Sequence, residues 1–93
     1  MFVGICRLEL LLSDCGSLKD KRQVIRSLIE RLKSRFNISI AEVGFLDLLR
    51  RSEIAFSVVS NETRHLESLM GKIVNFIEGD SRVQIVSIHK EIH

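Results

Sequence analysis

Tryptophan, tyrosine and proline are absent from this chain of 93 residues, and only two cysteines occur. The lack of proline leaves no proline-rich linker or spacer. Cys6 and Cys15 are not at CxxC spacing, so they carry no zinc signal. In a chain without a secretory pattern they read as reduced thiols. Gly4, Gly16, Gly44, Gly71 and Gly79 are scattered and form neither GxGxxG nor a phosphate-binding loop. No run approaches the ~18 consecutive apolar residues of a membrane span. The early apolar run Leu8–Leu12 is interrupted by Arg7 and Glu9 and has no basic n-region or small-residue cleavage site. This predicts a cytoplasmic protein with no secretory signal.

What is present fits one globular unit. Hydrophobic residues make up 45% and charged residues 28%, too apolar for a disordered chain. The length suits a single domain, residues 1–93, with a two-layer core at most. The net charge is only +2. That total does not by itself point to a polyanionic partner; its distribution matters more.

Phe2 to Leu12 alternates as a strand. Phe2, Cys6, Leu8, Leu10 and Leu12 form the core-facing set, and Val3, Ile5, Arg7, Glu9 and Leu11 the other. Both sets are apolar enough for a central strand. Ser13-Asp14-Cys15-Gly16 is a turn cluster. Ser17 is the predicted N-cap of a helix, with Asp20 in its first turn. Leu18, Val24, Ile25, Leu28, Ile29, Leu32 and Phe36 make its apolar stripe. Asn37 ends that pattern. Residues 38–45 and 53–60 read as two further strands. Ser60 or Asn61 is the predicted cap of a second helix, with Leu66, Leu69, Met70, Ile73, Val74 and Ile77 inward and Gly79 at its end. Gly71 inside that helix costs about 1 kcal/mol relative to alanine, which implies close packing or plain tolerance. The final strand spans 83–92, and its alternation slips between Ile85 and Val86, the mark of a bulge or of burial on both faces.

The order is βαββαβ. Right-handed crossovers joined by a hairpin give a ferredoxin-like α+β two-layer sandwich. The sheet is antiparallel with four strands, and both helices lie on one face. Strands one and three are central. The open face is expected to carry Arg7, Glu9, Ala55 and Ser57.

Four segments in order, Ser17-Leu18-Lys19-Asp20-Lys21-Arg22, Phe36-Asn37-Ile38-Ser39, Ala41-Glu42-Val43-Gly44 and Val58-Val59-Ser60-Asn61, resemble the YlxP-like bacterial proteins, a domain of unknown function. The resemblance spans essentially the whole chain. It implies the same fold and a cytoplasmic bacterial protein whose genes often neighbour those of translation and ribosome-maturation factors. It supplies no activity, cofactor or catalytic residue. The family pattern after the second strand is close to Asp-Leu-Trp-Gln-Arg. This chain has Asp47-Leu48-Leu49-Arg50-Arg51. The missing tryptophan weakens any case for a required aromatic contact at that point.

Residues 17–35 hold seven basic side chains against Asp20 and Glu30, a local charge of +5 that leaves −3 for the rest. At 100° per residue Lys19, Arg22, Arg26 and Lys33 share one helix flank. Such a stripe suits a phosphate backbone, where counterion release drives binding. The plainer reading is a solvated face with apolar stems flanking the core stripe and an Arg26–Glu30 pair. The sheet lacks the open-face aromatics of RNA-recognition platforms, because Phe56 falls on the helix side. The hairpin 45–51 is unusually apolar. Phe45, Leu46, Leu48 and Leu49 either meet a partner or pack back as a helical turn. His89, Glu91 and His93 share one strand face, yet a metal site is not expected at a fraying chain end. His65, in the first turn of the second helix, is expected on the surface or partly packed. Cys15 as a nucleophile would need a base that no local pattern supplies.

No paired acid and base stand at productive spacing, so the chain is read as a non-enzyme without cofactor or small-molecule ligand. The first functional reading is an RNA- or ribosome-associated domain using Lys19, Arg22, Arg26 and Lys33. The alternative is a homodimeric protein-interaction module using the hairpin and a sheet edge or open face.

Overall fold

The computed structural model describes residues 1–93. The elements are β1 (Phe2–Leu12), α1 (Leu18–Arg35), β2 (Ser39–Gly44), β3 (Arg51–Ser60), α2 (Thr63–Glu78) and β4 (Val83–Ile92). The sheet order is β2-β3-β1-β4, and all three pairings are antiparallel. This is the ferredoxin-like sandwich that the βαββαβ order requires.

The long apolar strands β1 and β3 take the centre, where each has a hydrogen-bonded neighbour on both edges and one face beneath the helices. On β1, Cys6, Leu8, Leu10 and Leu12 are buried beneath the helices, while Ile5, Arg7 and Leu11 are exposed on the other face. On β3 the buried set is Ser52, Ile54, Phe56 and Val58. From α1 come Ile25, Leu28 and Leu32, and from α2 Leu66, Met70, Ile73, Val74 and Ile77. These join one core of 18 buried apolar residues. Gly4 lets α2 sit close over β1: a Cβ there would meet the Met70 sulfur at 3.0 Å and Val58 Cγ2 at 3.2 Å. At Gly71 a Cβ would meet nothing within 4 Å, so that glycine is tolerated rather than required.

Ser17 caps α1 as expected, accepting a hydrogen bond from the Asp20 amide at 3.1 Å. The expected bulge in β4 is present. Glu9 pairs with Ser87 and Leu10 with Ile85, so Val86 is the extra residue. Several boundaries shift. Strand β2 loses its expected ends, Ile38 and Phe45, and β3 begins two residues early at Arg51. The cap position of α2 is Glu62, not Ser60 or Asn61; the Ser60 hydroxyl instead accepts from the Glu62 amide at 3.2 Å. Gly79 keeps φ −73°, so its left-handed freedom goes unused. The last strand is paired to its end. The amides of Val3 and His93 exchange backbone hydrogen bonds at 2.8 and 2.9 Å, and the Glu91 carboxylate sits 3.1 Å from His89 Nε2 and 3.2 Å from His93 Nε2. Those two imidazoles hold the Glu91 carboxyl below its usual range. Cys15 is buried in the core, which removes it as an accessible nucleophile, and burial pushes the Cys6 thiol up.

The turn between α2 and β4 is held by Asp80, a buried carboxylate that the periodicity did not single out. Its Oδ1 accepts from Arg82 Nε at 3.0 Å and from the Arg82 amide at 3.0 Å; its Oδ2 accepts from Arg82 Nη2 at 2.7 Å. Arg31 of α1 reaches the same Oδ2 at 3.3 Å. Arg82 Nη2 also donates to the Ser27 hydroxyl at 3.3 Å, tying the turn to α1. The Arg82 hydrogen bonds hold the Asp80 carboxyl below the ordinary carboxylate value of about 3.9. A lowered folded-state pKa means that this stabilisation is complete above the unfolded value and is lost as pH falls through the folded one. Asp80→Asn should cost about 1–2 kcal/mol at neutral pH, the lower part of the range for charge-assisted bonds because both arginines are partly solvated. In melting curves the gap between wild type and variant should narrow as the pH is lowered through the acid range.

Candidate functional site

Helix α1 sorts its basic side chains by angle. Lys21 lies four, seven and eleven residues before Ile25, Leu28 and Leu32, so it projects inward with them. It is completely buried. Lys21, one of the seven basic side chains of residues 17–35, is therefore not part of the helix's outward charge. A buried ammonium needs hydrogen-bond acceptors and a counter-charge, and here it has both. Nζ donates to the Phe45 and Leu46 carbonyls, the latter at 3.3 Å, and stands 3.2 Å from Glu42 Oε2. The same Glu42 oxygen accepts from the Ser52 hydroxyl at 2.6 Å.

The strands supply Glu42 and Ser52 by simple alternation. Glu42 follows Ile40 on the helix-facing side of β2, and Ser52 precedes Ile54 on that side of β3. Just beyond Glu42 the register slips. Glu42 pairs with Ile54 but Gly44 pairs with Glu53, so Val43 is bulged out. Gly44 then lies against Glu53, where a Cβ would come 3.0 Å from the carboxylate. Phe45 takes a φ of 56°, a conformation that a bulky residue rarely adopts. Its carbonyl is held by Lys21, and its ring lies under the Arg51 guanidinium, 4.4 Å from the centroid. Arg51 in turn pairs with Glu9 on the open sheet face.

The 45–51 segment is thus anchored through its backbone, while its side chains stay outside. It turns through a Leu48 amide to Phe45 carbonyl bond of 3.1 Å. Phe45 is 36% exposed, Leu46 52%, Leu48 47% and Leu49 40%. The loop does not bury these side chains by packing back; neighbouring Val43 extends the exposed apolar group.

Lys19, Arg22, Arg26 and Lys33 are all exposed. Arg22, Arg26 and Lys33 line one shallow groove of about 410 Å³ between α1 and edge strand β2, floored by Ile25 and Ile29. Lys19 stands outside it. Glu30 and Glu42 also line this groove. Glu42 is neutralised from beneath by Lys21. The expected Arg26–Glu30 pair does not form, and Arg22 instead approaches Asp47 at 4.0 Å across two exposed side chains. Arg31 and Arg35 point the other way, toward α2, where both guanidinium groups lie near the Phe76 ring.

Lys21→Met should destabilise the fold by about 3 kcal/mol, because it leaves the largely buried Glu42 carboxylate without its counter-charge and the Leu46 carbonyl without its side-chain donor. Urea denaturation would measure this. Amide exchange in residues 45–50 should quicken more than in α2, since the lost anchor is local.

The model of a family described as a protein of unknown function, DUF503, matches residues 3–90. An uncharacterised protein of Bacillus subtilis strain 168, YlxP, is 29% identical over 82 residues, which span 88% of this chain and 89% of that one. A crystal structure of a dimeric ferredoxin-like protein from an uncultured marine organism aligns with a TM-score of 0.48 at 10% identity, covering 100% of this chain and 96% of the other. With nearly its whole length matched, the chain belongs to the DUF503 family of proteins of unknown function.

Proposed function

We propose that this chain is a non-catalytic, cytoplasmic binding domain that engages RNA, free or within the ribosome, through the outer face of α1. The observation that carries this reading is the alignment of Arg22, Arg26 and Lys33 along one open groove, with Lys19 exposed on the same helix flank. A phosphate backbone needs several cations in a row, free to exchange their counterions. Arg22 is held only by a 4.0 Å pair to exposed Asp47, worth little in water and readily exchanged for phosphate. Glu42, which would repel a phosphate, is already compensated by Lys21. Glu30 is the remaining opposing charge and limits how tightly a backbone can sit there.

The four-fold variant K19Q/R22Q/R26Q/K33Q tests this reading. Each lost contact to single-stranded RNA should remove about 0.7 from the salt slope of log affinity, so the slope should fall by about 3. Fluorescence anisotropy across a salt series would read it. A slope and affinity equal to wild type would defeat the proposal.

A second reading has its own support. Phe45, Leu46, Leu48 and Leu49 are exposed while their backbone is anchored, and such a fixed apolar group beside an edge strand suits a homodimer contact. Light scattering at high micromolar concentration should then give a dimer mass that returns to monomer in L46S/L48S/L49S. A wild-type monomer at that concentration removes the second reading.

A further inference from the structure

On the side of α1 away from the β2 groove, its last turns and the C-terminal half of α2 enclose two adjoining clefts. One, of about 330 Å³, is lined by Arg35, Phe36, Lys72, Asn75 and Phe76. The other, of about 320 Å³, shares Arg35 and Phe76 and adds Arg31. No acidic residue lines either cleft. Arg31 is engaged by Asp80, but neither Arg35 nor Lys72 lies within 4.0 Å of a carboxylate. Two unpaired cations therefore face one cavity. Together they outweigh the roughly half negative charge that the α1 dipole places at its C-terminal end.

The rest of the lining is not that of a bare anion site. Phe36 and Phe76 meet edge to face, with centroids 6.0 Å apart and planes at 88°. The Arg31 and Arg35 guanidinium carbons lie 5.2 and 5.3 Å from the Phe76 centroid. Guanidinium planes and aromatic rings are the two surfaces on which nucleobases stack. Asn75 places an exposed amide on the same wall, and an amide can both donate to and accept from a base edge.

We propose that this cleft binds a nucleoside phosphate, with the phosphate between Arg35 and Lys72 and the base against the Phe76–arginine stack within reach of Asn75. The ligand is either a free nucleotide or the phosphorylated end of an RNA strand. The proposal goes beyond the α1–β2 groove and uses none of its residues, so either can fail alone.

The test is an amide-resolved NMR titration of the full chain with adenosine 5′-monophosphate, inorganic phosphate and a 5′-phosphorylated oligoadenylate. Adenosine monophosphate or the oligoadenylate should shift resonances in the last turn of α1 and around residues 72–76. R35Q/K72Q, which alters only exposed side chains, should weaken that binding about tenfold or more through the loss of charge-assisted hydrogen bonds. N75A should weaken adenosine monophosphate but not inorganic phosphate, and R22Q/R26Q/K33Q should leave the cleft unaffected. If the oligoadenylate binds more tightly than the mononucleotide, the source is an RNA end; the reverse order identifies a free nucleotide. The proposal is overturned if millimolar nucleotide shifts nothing in the cleft, if R35Q/K72Q binds like wild type, or if inorganic phosphate binds as tightly as either nucleotide.

Discussion

An ammonium group held out of water beneath the first turns of α1 organises one end of this molecule. Removing a charge of that size from solvent costs several kcal/mol unless a counter-charge and hydrogen-bond acceptors replace the water. Lys21 finds them in Glu42 and in the Phe45 and Leu46 carbonyls. Those groups come from the end of β2 and the loop that follows, so compensating the charge also ties that loop to the helix. The left-handed turn at Phe45 follows, because its carbonyl must face inward toward Nζ. The Val43 bulge and the close approach of Gly44 to Glu53 belong to the same local arrangement.

Holding a loop by its backbone has a consequence for its side chains. The carbonyls of Phe45 and Leu46 turn in, so the apolar side chains of the segment remain outside. An exposed apolar loop is usually either mobile or covered. This one is anchored at its base, which removes part of the ordering cost that a partner would otherwise have to meet on binding.

The other basic residues of α1 divide according to their neighbours. Toward β2 lie Arg22, Arg26 and Lys33 over a floor of isoleucines. Toward α2 lie Arg31 and Arg35, one drawn to Asp80 and both set against Phe76. A helix with a local charge of +5 is thus three electrostatic environments: a neutralised interior, a groove with exchangeable charge, and an aromatic cleft. Asp80 and Arg82 keep the last turn of the α2–β4 connection against α1 and hold that second flank in place.

Local pattern alone determined the order of elements, the inward placement of Cys6, Leu8, Leu10 and Leu12 on β1 and the Ser17 cap, because each depends on residues close in sequence. Phe2, expected inward with them, is exposed at the strand's end, and of the two readings of the slip in β4 the structure has the bulge, at Val86. The same pattern also contained the burial of Lys21, whose helix angle is that of Ile25, Leu28 and Leu32, although the charge disguised it. Glu42, Ser52, Asp80 and the Phe76–arginine cleft were beyond its reach. Glu42 meets Ser52 across 10 residues and Asp80 meets Arg31 across 49, and although Arg82 is only two residues from Asp80, that pair matters because it is tied to Ser27 of α1. Only the tertiary packing of α1 against β2 and α2 decided which cations are neutralised and which are free, because charge compensation depends on distance in space, and chain separation does not encode it.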